Sequence, residues 1–570
     1  MSTATEILKE YWGFDSFRSK QEAIIDSVIS GKDTLALLPT GGGKSICFQV
    51  PAMMNEGICL VVSPLIALMK DQVEQLHKRN IKALCITSEY SHREVDAMFD
   101  RCIYDKAIKF LYVSPERLQT DLARTRIALM NVNLIAVDEA HCISEWGYDF
   151  RPSYLNIADI RPLHKKVPII ALTASATPPV IKDIQEKLSF KKGNVLSQSF
   201  KRDNLAYFVD WDEQKLEKAE RIARKLKGSG IIYARSRNGT ERIARSLAKC
   251  GLKVNFYHAG LSSEERNKRQ QDWSQGRIQI IVATNAFGMG IDKSNVRFVL
   301  HFDIPDTLEN YYQECGRAGR DGKKAFTVAL LTTKDVDFFE QKIKDAFPLK
   351  EDIKRVYNAL GSYLNLATGS AKGESFPLDM DDFAKVYSFN LRLIRHSLKF
   401  LEREGYLTFQ EQPQNSSYVR VLCDNEALYG VKLNTPKLEP LINGLLRSYA
   451  RIFDESVRIN EWNLAKSIRW PKDKVEKALH YLNQKEIIKY EPASNLPMVT
   501  YVHERIQARN VRISKEHYTL RKHVVLDKSE AMLHYLQTNS KCRSRMILEY
   551  FGETDAKNCG ICDFCIEQKK

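Results

Sequence analysis

The stretch TLALLPTGGGKS, Thr34 to Ser45, decides the fold. Its apolar start reads as a buried strand that runs straight into a glycine-rich loop. Gly41, Gly42 and Gly43 let backbone N–H groups curl around phosphate oxygens with no Cβ in the way. Lys44 puts a cation on the β and γ phosphates, and the Ser45 hydroxyl faces Mg²⁺. A helical stretch follows, completing a strand–loop–helix unit. Leu38 stands where the usual pattern has its first glycine, so the match departs at one position.

Outward from this loop the same alternation continues. ICLVVSP, IKFLYVSP, LIAVDEA and PIIALTA read as further buried strands, and GIIYA, VNFYH, IQIIVAT and VRFVLHF follow after a break. Strands separated by helix-like segments indicate an α/β fold with doubly wound parallel sheets. The break is the polar, basic stretch from Ser189 to Asn204. Two such domains are expected, 1–205 and 206–345.

Asp138 and Glu139 end the strand LIAVDEA, at the carboxyl edge of a parallel sheet, where ligands bind in this architecture. Two carboxylates at a strand end mean little alone. Paired with GGGKS they read as an ATP-hydrolysis site, with Asp138 holding Mg²⁺ and Glu139 orienting or deprotonating the attacking water. In the second domain YYQECGRAGRDG places Arg317 and Arg320 three apart. Such a pair can supply the cation that a γ-phosphate needs as charge spreads in the transition state. Directly after Asp138–Glu139 comes AHCISEWGYDFRP, with Trp146, Tyr148, Phe150 and Arg151. Gly147 and Pro152 break any regular period, so this is a loop and not a core stripe. Aromatic faces stack nucleobases, and a guanidinium stacks or holds phosphate. Covalent continuity with the carboxylates lets such a loop report nucleic acid to the nucleotide site, with His141 and Ser175 as intermediates.

From residue 346 helical patterning takes over, and a duplication lies within it. FAKVYSFNLRLIRHSLKFLEREGYLTF from Phe383 and LAKSIRWPKDKVEKALHYLNQKEIIKY from Leu464 align at a constant offset of 81. The apolar pairs include Ile394–Val475, Leu398–Leu479, Phe400–Tyr481, Leu401–Leu482, Leu407–Ile488 and Phe409–Tyr490. Each copy reads as helix, turn, amphipathic helix, strand, which resembles a winged helix-turn-helix. Consecutive units are expected at 346–435 and 436–520, then a small module at 521–570. The second helices carry Arg392, Arg395 and Lys399, and Lys472, Lys474 and Lys477. These suit duplex phosphates or simply a solvated face.

The net charge is +15 with a pI near 9.1. That agrees with a nucleic-acid partner or a general solubility charge. No apolar run is long enough to span a bilayer, and MSTATEILKE lacks the pattern of a secretory signal. No membrane role and a cytoplasmic location are expected. Of the 12 cysteines, most are scattered singly and read as reduced core residues. Cys542, Cys559, Cys562 and Cys565 are different: NCGICDFC offers two CxxC steps, and Cys542 makes a fourth ligand for one tetrahedral ion. A redox pair or an iron–sulfur cluster stays open on the residues alone.

With these residues on the page, the chain resembles the RecQ DNA helicases of helicase superfamily two. The resemblance runs through FDSFRSKQEAI, LPTGGGKS, VVSPLIALMKDQV, YVSPERL, DEAHCISEWGYDFRPSY, LTASAT, IIYARSR, YHAGL, VATNAFGMGIDK and QECGRAGRDG. It implies an ATP-dependent, 3′-to-5′ DNA helicase with two RecA-like domains, acting in recombination and repair. It also implies roles by residue. Phe17, Arg18 and Gln21 would read adenine, and Thr40 to Ser45 would form the phosphate loop with Gly41, Gly42, Gly43 and Lys44. Asp138 and Glu139 would take the metal and the water. Arg320 would be an arginine finger with Arg317 beside it, and Gly290 and Asp292 would link nucleotide to the second domain. Ser63, Ser114 and Thr284 would touch the DNA backbone, alongside His141, Trp146, Phe150 and Arg151. The cysteine motif resembles the RecQ zinc module, which selects Zn²⁺, with Lys541, Arg543 and Arg545 offsetting the thiolate charge. ATP, Mg²⁺ and Zn²⁺ are thus the expected cofactors, and single-stranded and forked duplex DNA the expected partners. A single-strand-binding or recombination protein would be a further partner of a monomeric chain. One departure stands out. The duplicated stretch lies between the second α/β domain and the cysteines, and only five residues follow Cys565, so no winged helix is expected after them.

Overall fold

The structure is a computed structural model that describes residues 3–87, 89–147, 149–288, 293–411, 416–424, 428, 430, 435–449, 452–453 and 456–569. Tyr148, Gly290 and Asp292 lie outside the described residues. The chain divides into two compact units. One is Met1–Phe339 with Val524–Lys570, the other Glu340–His523.

The first unit holds two parallel sheets. The first sheet comprises β1 (Thr34–Leu37), β2 (Ile58–Val62), β3 (Lys82–Ile86), β4 (Ile108–Val113), β5 (Val132–Val137), β6 (Ile169–Thr173) and β7 (Val195–Ser197). Their order is β3-β4-β2-β5-β6-β1-β7. Strands β1, β2 and β6 are buried along their whole length, as a sheet covered by helices on both faces requires. Asp33 locks the start of β1. Its carboxylate accepts from the backbone N–H of Ile169 and of Lys191 and from Arg161 at 2.6 Å, with its side chain fully buried. Removing one partner of so buried a pair costs about 3–5 kcal/mol.

The second sheet comprises β8 (Leu205–Trp211), β9 (Ser229–Tyr233), β10 (Val254–Tyr257), β11 (Ile280–Ala283), β12 (Val296–His301) and β13 (Ala325–Leu331), in the order β10-β11-β9-β12-β13-β8, all parallel. Thus the stretch 189–204, taken from its composition as a break, contains the edge strand β7. Its residues are half-exposed or exposed and carry no apolar run to betray it.

The second unit bears out the repeat but not a simple succession of two units. Helices Met380–Tyr387 and Glu461–Ile468, then Leu391–Arg403 and Lys472–Gln484, recur at the offset of 81. The turn residues Ser388 and Arg469 are both left-handed, at φ 54° and 57°. Ile394, Val475, Leu398, Leu479, Leu401 and Leu482 are all buried. Phe400 is buried under Phe347 and Tyr518, whereas its counterpart Tyr481 is 45% exposed.

The strands are β14 (Ser375–Pro377), β15 (Leu407–Gln410), β16 (Ser417–Val421), β17 (Val457–Ile459), β18 (Ile488–Glu491) and β19 (Met498–Tyr501). They form two three-stranded sheets, β14-β19-β15 and β17-β16-β18. The wing partner of β15 is therefore β19 and not the adjacent β16, which pairs instead with β18. Strands β16 and β19 are themselves counterparts at the same offset, so the two copies exchange their central strands. A boundary at 435/436 would cut β16 from its sheet. Instead the segment from β16 to β18 is inserted between the two wing strands β15 and β19.

The exchange is testable. Thr408 and Thr500 face each other across β15 and β19, a cross-strand spacing that cysteines bridge with little adjustment. Oxidised Thr408→Cys/Thr500→Cys protein should give the 408–500 linked peptide by mass spectrometry. Thr408→Cys/Val419→Cys, the pair that unexchanged copies would bring together, should give none. The reverse pattern would mean each copy keeps its own strand.

Candidate nucleotide site and nucleic-acid interface

The phosphate loop leaves the carboxyl end of β1 and enters the helix Ile46–Met54. Gly41 and Gly43 adopt φ of 82° and 73°, which side chains resist. A Cβ on Gly43 would sit 2.4 Å from Gln21 Nε2, and one on Gly42 would sit 2.9 Å from the Pro39 carbonyl. Gln21 holds the loop from outside, donating to the carbonyls of Gly42 and Gly43 at 3.2 and 3.0 Å while accepting from the Arg18 N–H. Lys44 and Ser45 open into a cleft of about 530 Å³, which Phe14, Arg18, Asp138, Glu139, Arg317 and Arg320 also line. Thr40 lies there too, with its carbonyl turned to the linker residue Arg202. Phe17 does not join them. It packs in a small apolar cluster with Ile7, Leu8, Ile25 and Val50, and the exposed ring at the cleft is Phe14. Phe14, with the Arg18 guanidinium 6.0 Å from its ring, was not singled out by sequence because nothing in FDSF distinguishes it from Phe17.

Asp138 and Glu139 are buried across this cleft. Glu139 has φ 47° and ψ 47°, a left-handed conformation that is costly for a side chain and turns the strand abruptly into the 3₁₀ turn Ala140–Ile143. Burial first, and then the charge of Glu139, pushes the Asp138 carboxyl up to about 7, against the pull of Lys44. For Glu139 burial acts upward, but Lys44, His141 and Arg317 together outweigh it and hold its carboxyl below the ordinary value. The pair thus divides its roles: one carboxyl keeps its charge and the other gives it up readily. Glu139 Oε2 has no hydrogen-bond partner among the described residues. This carboxylate oxygen, with His141 Nδ1 at 3.4 Å but no hydrogen bond, lies beside Asp138 and opposite Lys44 and Ser45, which fits Mg²⁺–nucleotide and an attacking water.

From Glu139 a chain of contacts leads away. His141 Nδ1 lies 3.4 Å from Glu139 and 2.9 Å from Thr173 Oγ1, which contacts both the backbone N–H and the carbonyl of Ser175. Burial lowers the His141 value, against the pull of Glu139 and Asp149. His141 and Ser175 were expected intermediates; Thr173 between them was not, since a threonine at a strand end gives no signal of its own. Tyr154 was also missed. Its hydroxyl donates to the Asp138 carbonyl at 3.0 Å, tying the exit of the aromatic loop back to the carboxylates.

In that loop Trp146 is 43% exposed. Phe150 is half-buried, with the Lys187 ammonium 5.9 Å over its ring. Arg151 is committed elsewhere: it ion-pairs with Asp149 and donates to the Pro64 carbonyl at 3.1 Å, so it ties the loop to the end of β2. Ser63 and Thr284 are buried, Ser63 at 1% exposure with its hydroxyl beside Asp138. Both were expected at the DNA backbone, and here their side chains are covered by the protein. Ser114 remains accessible and caps the short helix Pro115–Leu118.

Arg317 and Arg320 enter from the second sheet. Arg317 is buried and donates to the Gly288 carbonyl, so it braces the loop after β11. Arg320 runs along the phosphate loop; a Cβ on Gly41 would lie 3.4 Å from its Cγ.

The four cysteine sulfurs lie within 4.8 Å of one another, and Cys559 N–H donates to Cys542 Sγ. This geometry suits one tetrahedral Zn²⁺. The nearby cations do not stand free to balance the thiolates: Arg543 pairs with Asp563, and Arg545 and Lys541 with Glu549. The basic helix faces of the duplicated region are likewise paired. Arg392 meets Asp345, Arg395 and Lys399 meet Glu411, and Lys472 meets Glu476. Lys474 lies over the Trp470 ring at 4.1 Å. The solvated-face reading gains accordingly.

Comparison with known proteins gives four family matches: DEAD/DEAH box helicase over residues 18–184, helicase conserved C-terminal domain over 214–322, RecQ helicase winged-helix domain of Bacteroidota over 419–492, and RecQ zinc-binding over 501–566. The third of these starts within β16 and ends just after β18, close to the inserted segment. The chain is similar to the ATP-dependent DNA helicase RecQ of Haemophilus influenzae, 41% identical over 64% of this chain and 60% of that protein. It is also similar to the probable ATP-dependent DNA helicase RecS of Bacillus subtilis, 39% identical over 63% of this chain and 73% of that protein. The chain spans 52–61% of the length of three RecQ relatives. The solved structure of Mss116p bound to ssRNA and AMP-PNP shares the fold, with a TM-score of 0.50 and 17% identity over 71% of this chain and 92% of that one.

The raised Asp138 carboxyl has a measurable consequence. In the nucleotide-free protein it is protonated below about pH 7, and a metal ion must displace that proton. Magnesium-dependent tightening of a fluorescent nucleotide should need about tenfold more Mg²⁺ per pH unit below that point and be flat above it. Asp138→Asn, with no proton to lose, should flatten the slope. An equal slope in that variant would place the titrating group elsewhere.

Proposed function

The chain belongs to the RecQ family of ATP-dependent DNA helicases, and from that premise we propose that it hydrolyses ATP to move along single-stranded DNA and separate duplex strands. The 3′-to-5′ direction and a place in recombination and repair follow the family. The observation that carries this reading is the composition of one cleft from both parallel sheets. Lys44, Ser45, Asp138 and Glu139 come from the first sheet and Arg320 from the second.

In this reading the loop amides and Lys44 seat the phosphates, while Ser45 and Asp138 would hold Mg²⁺. That ion would polarise the terminal phosphate and its leaving oxygen. Glu139, kept ionised by Lys44, His141 and Arg317, orients water or takes its proton. Arg320 meets charge that develops on the γ-phosphate. Strand separation needs this cycle to respond to DNA. Trp146 supplies an exposed stacking face, and Tyr154 and the His141–Thr173–Ser175 chain link the loop to the carboxylates. Cys542, Cys559, Cys562 and Cys565 would hold a Zn²⁺ that ties the C-terminal module together.

A forked-duplex displacement assay with ATP tests the proposal. Wild-type protein should release the labelled strand, and Lys44→Ala should release none. Trp146→Ala should keep basal ATP turnover while losing stimulation by single-stranded DNA and strand release. ATP turnover without displacement by the wild type would make the chain a translocase. Full stimulation in Trp146→Ala would remove the loop from the coupling path.

A further inference from the structure

The segment that joins the two parallel sheets is fastened at both ends. Ser199 Oγ and Phe200 N–H each donate to the Glu553 carboxylate at 2.7 Å, and the Phe200 ring stacks on Phe551 at 4.7 Å. The Tyr312 hydroxyl donates to the Phe200 carbonyl at 2.9 Å. Two residues on, the side chain of Arg202 reaches both halves of the nucleotide cleft. Its Nη1 donates to the Thr40 carbonyl at 3.2 Å and the Gly316 carbonyl at 3.4 Å. Its Nη2 donates to the carbonyls of Ala318 at 3.0 Å and Gly319 at 3.2 Å. Asn204 adds bonds to the carbonyls of Gly319 and Lys323 at 2.7 and 2.9 Å.

Thr40 belongs to the phosphate loop. Gly316 to Gly319 lead into Arg320. The two loops already touch: a Cβ on Gly316 would sit 3.0 Å from the Thr40 Cβ, so any side chain there would press on the phosphate loop. Four carbonyl oxygens converge on one fork of N–H donors, a geometry that guanidinium fills and ammonium does not. None of these bonds involves the catalytic side chains, so Arg202 has no chemistry of its own to perform.

We propose that Arg202 is the positioning residue for the arginine finger, fixing the Gly316–Arg320 loop against the phosphate loop. The inference rests on the ATP-hydrolysis reading of the cleft. A cation that stabilises a transition state must be placed to within about an ångström, and misplacement on that scale costs roughly 10²-fold in rate. The hydrogen bonds of Arg202 go to backbone carbonyls, so its loss should shift Arg320 without removing it.

The experiment is a double-mutant cycle on turnover in the zinc-loaded full chain, using Arg202→Ala, Arg202→Lys, Arg320→Ala and the Arg202→Ala/Arg320→Ala pair. Arg202→Ala should lower kcat by about 10- to 100-fold with KM for ATP within about threefold of wild type. Its affinity for ADP with aluminium fluoride should fall as kcat falls, while ADP alone binds normally. The lysine variant should lie between the two. The double variant should be no slower than Arg320→Ala, because Arg202 acts through that side chain. Additive losses, a raised KM with intact kcat, or unchanged turnover in both Arg202 variants would overturn the assignment. Should Arg320→Ala itself keep wild-type turnover, the reading of the cleft fails, and not this inference alone. If Arg202→Ala does not fold, the same cycle run with Arg202→Lys decides.

Discussion

The approach of the Gly316–Arg320 loop to the phosphate loop is the constraint on which the rest of the first unit depends. Each loop sits at the carboxyl end of its own parallel sheet, and neither alone makes a catalytic site. Glycine at 316 lets them lie close, since a Cβ there would press on Thr40 at 3.0 Å. The cleft then gathers Lys44, Arg317 and Arg320 around two carboxylates. A polyphosphate with its metal ion is the charge distribution that such a cluster accepts. The opposed shifts at Asp138 and Glu139 follow from the same crowding, since two buried carboxylates facing one lysine do not ionise alike.

In the proposed coupling, the aromatic loop is joined to this cleft by backbone and by the contacts of His141 and Tyr154. The left-handed Glu139 bends β5 into a turn whose next residues are the aromatic loop. Gly147 folds that loop back so closely that a Cβ there would meet the His141 carbonyl at 2.5 Å. Tyr154 and Arg151 pin its exit to Asp138 and to Pro64. In the proposed reading, movement of the exposed Trp146 would be felt at the carboxylates through these contacts. This is why a cation and aromatics follow an acidic pair so closely in sequence: Arg151 keeps the loop attached to the sheet while Trp146 remains outside.

Much of this was legible in the sequence, for definite reasons. GGGKS, DEAH and GRAGR are recognisable because their chemistry dictates residue types at fixed spacing, and the buried strands announce themselves as continuous apolar runs. What escaped detection depends on partners far along the chain. Phe14 and Phe17 are interchangeable by composition, yet one faces the cleft and the other the core. Ser63 sits at a strand end where exposure and burial read alike. The acids that neutralise Arg395 and Arg545 lie outside any motif, and Asp563, inside NCGICDFC, gives no sign in sequence that it pairs with Arg543. The strand exchange is the clearest case. Under an offset of 81, β16 and β19 are equivalent, so periodicity finds both strands and is blind to which sheet each one joins.

The account holds that a single chain completes its own hydrolytic site, with phosphate loop and arginine finger supplied by its two sheets. Mixing Lys44→Ala protein with Arg320→Ala protein measures this directly. Each variant carries one intact half, and ATP turnover of the mixture in the presence of single-stranded DNA should remain at the level of the variants assayed separately. Recovery of turnover on mixing would contradict the account, because it would mean that the finger acts on the phosphate loop of another chain.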